Sequence, residues 1–127
     1  MSVPILKQGA LLIATIQGAL TDADLMELRD VLAERVGRLR TRGVLVDVSA
    51  LDVMDSFATR MLRNIAYTVR LRGAETVIVG IQPEVAFTMV QLGLTLEGVD
   101  TALDFEEGVA WLSQKLNEER GARPGSG

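Results

Sequence analysis

The side chains best equipped for chemistry cluster between positions 47 and 59: Asp47, Asp52, Asp55, Ser56 and Thr59. Carboxylates this close in sequence could hold magnesium, a hard cation that takes oxygen ligands. Acidic residues in strand-end loops are, however, common without any metal. A short polar residue such as Asp55 or Ser56 can also cap a helix. Ser56 has a third possibility, acceptance of a phosphoryl group. A helix start presents unpaired N–H groups and positive dipole potential, which suit a phosphate as well as a capping oxygen. Phosphorylation would add about −1.5 to −2 charges beside three carboxylates, a large change on a small acidic domain. Thr59, one helical turn beyond Ser56, lies on the same candidate surface and could mimic an acceptor, although a structural role is expected for it.

Composition removes several other mechanisms. The chain has no histidine and no cysteine. Ser–His and Cys–His nucleophile pairs, Cys/His zinc sites and phosphohistidine relays are therefore impossible. No Gly-Lys-Ser/Thr phosphate loop occurs, and Gly80 stands without the glycine pattern of a dinucleotide fold. Aromatic residues are few, and no convergent polar groups mark a ligand pocket. Trp111 could anchor a partner helix but is better read as packing at the rim of the core.

The elements that must position Ser56 follow from periodicity. Val3–Leu6 and Leu11–Ile16 read as a hairpin turned at Gly9. Thr21 opens a first helix with Asp24 three residues on, close to a capping box. Leu25, Leu28, Leu32, Val36 and Leu39 form its buried stripe. Val44–Val48 is a near-continuous apolar run suited to a strand covered on both faces. The second helix runs from Ser56 to about Arg70, with Phe57, Met61, Leu62, Ile65 and Val69 inward. Thr76–Val79 gives another buried strand, and Pro83 starts a third helix with Val85, Met89 and Leu92 inward. A short strand at Thr101–Leu103 precedes Asp104, which caps a last helix carrying Phe105, Val109, Leu112 and Leu116. The order ββαβαβαβα implies an α/β fold, a mostly parallel sheet with an N-terminal hairpin and helical cover.

At 127 residues and 48% hydrophobic the chain is expected to form one domain, residues 1–116, followed by a polar, flexible tail at 117–127. Thirteen basic against seventeen acidic residues give a net charge of −4, which argues against nucleic acid as a partner. Arg35, Arg38, Arg40 and Arg42 read as the solvated end of a helix rather than a polyanion site. The absence of cysteine, of a span-length apolar segment and of a signal peptide leads to the expectation of a cytoplasmic protein.

A response-regulator receiver would also place an aspartate such as Asp47 at the end of a central strand. That reading fails. The first strands end in Lys7-Gln8-Gly9 and Gln17-Gly18 instead of an acidic pair, and neither Lys7 nor Lys115 ends a late strand.

The element order and several spaced blocks resemble the STAS domain (sulfate transporter and anti-sigma factor antagonist). The blocks are Pro4-Ile5-Leu6-Lys7, Val46-Asp47-Val48-Ser49, Met54-Asp55-Ser56-Phe57, Gly80-Ile81-Gln82-Pro83-Glu84-Val85-Ala86 and Leu92-Gly93-Leu94. Within the family the chain is similar to small RsbS-type subunits of the bacterial stressosome. The resemblance implies a non-enzymatic scaffold, without cofactor or metal, that captures an RsbT-like serine/threonine switch kinase until Ser56 is phosphorylated. It implies Asp52, Asp55, Ser56 and Thr59 as the partner-binding surface and Thr88 as a secondary modification site. It further implies reset by a PP2C-like phosphatase and homo- and hetero-oligomers with an RsbR-like sensor paralogue. The alternative is a stand-alone anti-sigma factor antagonist or a small-ligand-binding STAS domain.

Overall fold

The computed structural model describes residues 3–122. In chain order the elements are β1 (Ile5–Gln8), β2 (Leu11–Thr15), α1 (Asp22–Leu39), β3 (Gly43–Asp47), α2 (Ser56–Leu71), β4 (Glu75–Val79), α3 (Pro83–Gln91), β5 (Asp100–Ala102) and α4 (Phe105–Ala122). The strands stand in the sheet in sequence order, β1 antiparallel to β2 and the remaining pairs parallel. The β1–β2 turn uses Gly9 at φ 61°, a left-handed conformation that glycine adopts without a Cβ penalty.

Sheet order explains the layers. Parallel crossovers are right-handed almost without exception, so strands added in one direction carry their helices on one face. Leu28, Leu32 and Val36 of α1 and Leu62, Ile65 and Val69 of α2 share a core with Leu12, Ala14, Val44, Val46 and Ile78. Only a helix after the last strand is free to cover the opposite face. There Leu112 of α4 packs with Ile13, Leu45, Val77 and Val79, the alternate strand positions. Gly108 brings α4 close to the sheet: a Cβ at that position would lie 2.5 Å from Val79 Cγ1 and 3.1 Å from Leu45 Cδ1.

Helix starts follow their caps. Thr21 and Asp24 form a reciprocal capping box at α1. Asp104 accepts from the Glu107 N–H at 2.9 Å to start α4. The third helix begins at Pro83 in its first turn, and Gly93 turns the chain after it at φ 69°.

Three expectations are corrected. Leu92 is not on the inner face of α3 but 65% exposed, because the helix ends at Gln91 and Leu92 is its C-cap. Phe105, placed on the α4 stripe, is exposed, since it precedes Gly108, where the helix meets the strands. The segment from Asn117 to Ala122, expected as tail, continues α4. Glu119 there faces Arg42 at 3.9 Å, which ties the last turns to the start of β3. Residues 123–127 of the expected tail lie outside the described residues. Trp111 is half-buried, with Lys115 Nζ 4.9 Å from its ring centroid.

Candidate functional site

The candidate site is the link between β3 and α2, at the C-terminal edge of the sheet. Its path is fixed from both sides. After Asp47 the Val48 N–H still donates to Val79 O at 3.0 Å, and the Leu51 N–H closes a turn on Val48 O at 3.0 Å. Leu51 and Met54 are buried and anchor the link in the core, while Asp52, Val53, Asp55 and Ser56 stand outward. Val53 is 74% exposed, a large apolar surface for so short a loop.

The neighbouring β4–α3 turn braces this link. Gln82 Nε2 donates to Ser49 O at 2.8 Å and to Asp52 Oδ1 at 3.3 Å. Gly80, at φ 81°, allows the close approach, because a Cβ there would fall 2.8 Å from Ser49 Cβ. Residues 80 and 82 were not singled out as site residues from the sequence. The available signal was topological: adjacent parallel strands place their trailing loops side by side.

Asp55, not Ser56, is the N-cap of α2. Its Oδ1 accepts from the Ala58 N–H at 2.8 Å, and its backbone is extended at φ −79°, ψ −179°. Ser56 is consequently the first helical residue, exposed, and among the described residues no hydrogen bond engages its hydroxyl. The first turn of α2 contains no acidic residue, so the positive end of the helix dipole faces Ser56 with Asp55 alone against it. Arg60, one turn on, is exposed and pairs with no carboxylate among the described residues.

The three carboxylates do not converge. Asp47 Oδ1 accepts from the Ser49 N–H at 2.9 Å, Asp52 takes Gln82 and Asp55 takes Ala58. Among the described residues no group of acidic side chains is arranged to hold a metal ion.

Thr59 does not belong to the surface on which the sequence reading placed it. It is 1% exposed, and its Oγ1 donates to Asp55 O at 2.9 Å. The physical reason is helical phase: Thr59 falls beside Leu62 and Ala66 on the side of α2 that packs inward. Thr88 is exposed on α3, with its hydroxyl donated to Glu84 O at 3.0 Å. Beside Asp55 lies a hollow of 140 Å³ whose apolar wall includes Leu20, Leu25, Leu51 and Val53.

This arrangement offers a solvent-facing hydroxyl on a rigid helix start, flanked by two exposed carboxylates and an apolar hollow. Among the described residues no helix is long and apolar enough to cross a membrane.

Comparison with known proteins agrees with the fold. The STAS domain profile matches residues 2–107. A serine-to-glutamate variant of RsbS from Moorella thermoacetica superposes with a TM-score of 0.76 at 33% identity, covering 91% of this chain and 97% of that one. A chain from the molecular architecture of the stressosome, a signal integration and transduction hub, superposes at 0.72 with 34% identity, covering 89% and 98%. The RsbT co-antagonist protein RsbRA of Bacillus subtilis is 33% identical over 78 residues, 61% of this chain and 28% of that protein's length. The present chain thus corresponds to less than a third of that relative.

Proposed function

The chain belongs to the STAS domain family, and from that premise we propose that it is a non-enzymatic scaffold and partner-switch subunit of a bacterial stressosome. It captures a serine/threonine switch kinase of RsbT type and releases it when Ser56 is phosphorylated. The observation that carries this reading is the division of labour at α2: Asp55 caps the helix, which leaves the Ser56 hydroxyl unengaged and exposed.

The chemistry is supplied by the kinase. The Ser56 oxygen attacks the γ-phosphorus of ATP, the bond to ADP breaks, and the hydroxyl proton passes to the kinase's base. This chain contributes an acceptor held on a rigid element. The first N–H groups of α2 stabilise the new phosphate in place, and Arg60 stands one turn away, the spacing at which opposite charges on a helix meet. Outward, the phosphate adds to the negative charge of Asp52 and Asp55. A partner seated in the apolar hollow and on Val53 would have to desolvate that charge. A loss of about 1–3 kcal/mol, the usual size of coupling between sites, weakens such a partner about 5- to 150-fold. The domain need not refold.

The relatives support the assignment of setting. One is an RsbS protein with a serine replaced by glutamate, a charge change in the sense of phosphorylation, and another belongs to a stressosome. We assign the chain to the cytoplasm, in hetero-oligomers with RsbR-like sensor paralogues, with a PP2C-like phosphatase resetting Ser56. The test is a kinase-binding titration. Ser56→Ala should keep wild-type affinity and Ser56→Asp should lose at least fivefold. Equal affinity of the two variants would sink the switch. Light scattering of the chain co-expressed with a sensor paralogue should show a particle of many subunits; monomers or dimers alone would remove the scaffold role.

A further inference from the structure

At the N-terminal end of β3, roughly 17 Å of strand away from the Ser56 edge, the C-terminal ends of α1 and α2 meet around a hollow of 220 Å³. We propose that this hollow binds a phosphate-type oxyanion.

Arg40, Arg42 and Arg72 line it together with Gly37, Thr41 and Gly73. Arg72 comes from the end of α2, remote in sequence from the other two, so the sequence alone groups only Arg40 and Arg42. Complementing two helix dipoles would account for cations here. Yet among the described residues none of the three guanidinium groups donates a hydrogen bond to a helix carbonyl, and neither Arg40 nor Arg72 pairs with a carboxylate. Arg42 has only the 3.9 Å contact with Glu119.

Three further features distinguish this corner of the fold. Arg40 has φ 54° and ψ 37°, and it is the one non-glycine residue with positive φ among the described residues. Glycine is the usual occupant of that position, and an arginine there bears the left-handed steric cost. Gly37 sits inside α1, where glycine is unfavourable. Its missing side chain leaves room for the Arg72 guanidinium: a Cβ would lie 2.7 Å from Cζ and 3.0 Å from Nε. Thr41 is 2% exposed, and its Oγ1 has no hydrogen-bond partner, although buried hydroxyls are nearly always satisfied.

Three arginines lining one hollow match the donor demand of a phosphate, which takes bidentate contacts from arginine. At about 30 Å³ per water the hollow holds roughly seven waters. That accommodates a phosphate or diphosphate group and leaves any attached nucleoside outside.

The test is a backbone-amide NMR titration of the full chain with inorganic phosphate, pyrophosphate and ADP, sodium chloride holding ionic strength constant. Saturable shifts at Gly37, Thr41 and Gly73 are expected, with the tightest of the three probes identifying the source of the anion. Arg72→Gln should weaken binding at least tenfold, and it changes an exposed side chain. Gly37→Ala should do the same by displacing the guanidinium, while its better helix propensity keeps α1 intact. Absence of saturable shifts, shifts reproduced by chloride alone, or undiminished binding in Arg72→Gln would overturn the proposal.

Discussion

Removing the carboxylate of Asp55 should destabilise the fold much more than removing the hydroxyl of Ser56. Asp55 Oδ1 receives the Ala58 N–H at 2.8 Å, and the first turn of α2 has no other acidic residue. Asp55→Ala therefore loses a charge-assisted hydrogen bond together with the carboxylate facing the helix dipole. Losses of this kind cost about 1–2 kcal/mol. An unfolding entropy of about 2.1 cal/mol/K per residue makes each kcal/mol worth ~4 °C in a chain of this length. The expected fall in Tm is thus about 4–8 °C. Ser56→Ala removes a hydroxyl without a partner and introduces the best helix former, so its Tm should stay within about 2 °C of wild type. Differential scanning calorimetry of both variants decides the matter. A loss for Ser56→Ala equal to that for Asp55→Ala would mean that the hydroxyl serves as cap, and the reasoning that leaves it available as an acceptor would fail with it.

Two other perturbations probe the frame. Gly108→Ala should cost about 1–3 kcal/mol, because its Cβ meets branched side chains of the second core that cannot swing away; urea denaturation reads this as a lower midpoint. Lys115 lies 3.0 Å from Asp100 and 3.4 Å from Glu75. Burial opposes its charge, but those carboxylates outweigh it and hold the ammonium above the usual 10.5. The stabilisation is therefore complete below pH 10.5 and is lost as pH rises through the higher folded value. Lys115→Met should lose about 1–2 kcal/mol at neutral pH, and its thermal stability should fall less steeply than that of wild type at alkaline pH.

Much of the fold was legible because local signals and tertiary packing agree. The α1 stripe is buried at Leu25, Leu28, Leu32 and Val36 and half-buried at its last member, Leu39, and both capping patterns sit where Thr21 and Asp104 placed them. The site was legible in position and not in roles. Asp and Ser are nearly equal as caps, so composition could not say which of residues 55 and 56 would be spent on α2. The burial of Thr59 depends on how α2 rolls against its neighbours, which spacing from Ser56 does not encode. The brace from Gln82 joins loops 33 positions apart, and no local pattern announces it. The last turns of α4 are polar and read as tail, yet a contact with Arg42 across the sheet edge accompanies their helical state.

The sequential strand order also has a kinetic consequence. Leu11 pairs with Gly43 and Gly43 in turn with Glu75, the same stride in both steps. Each βα unit can dock on the one made before it, with no strand waiting for a distant partner, so loop-closure entropy is met in modest instalments. A chain leaving the ribosome can therefore build its first core from the N-terminus onward. The second core cannot follow that schedule. Leu45, Val77 and Val79 remain a bare apolar face until Leu112 arrives on the last helix. During synthesis that face is the part of the nascent protein most open to misassociation, and α4 is the element whose arrival ends the exposure.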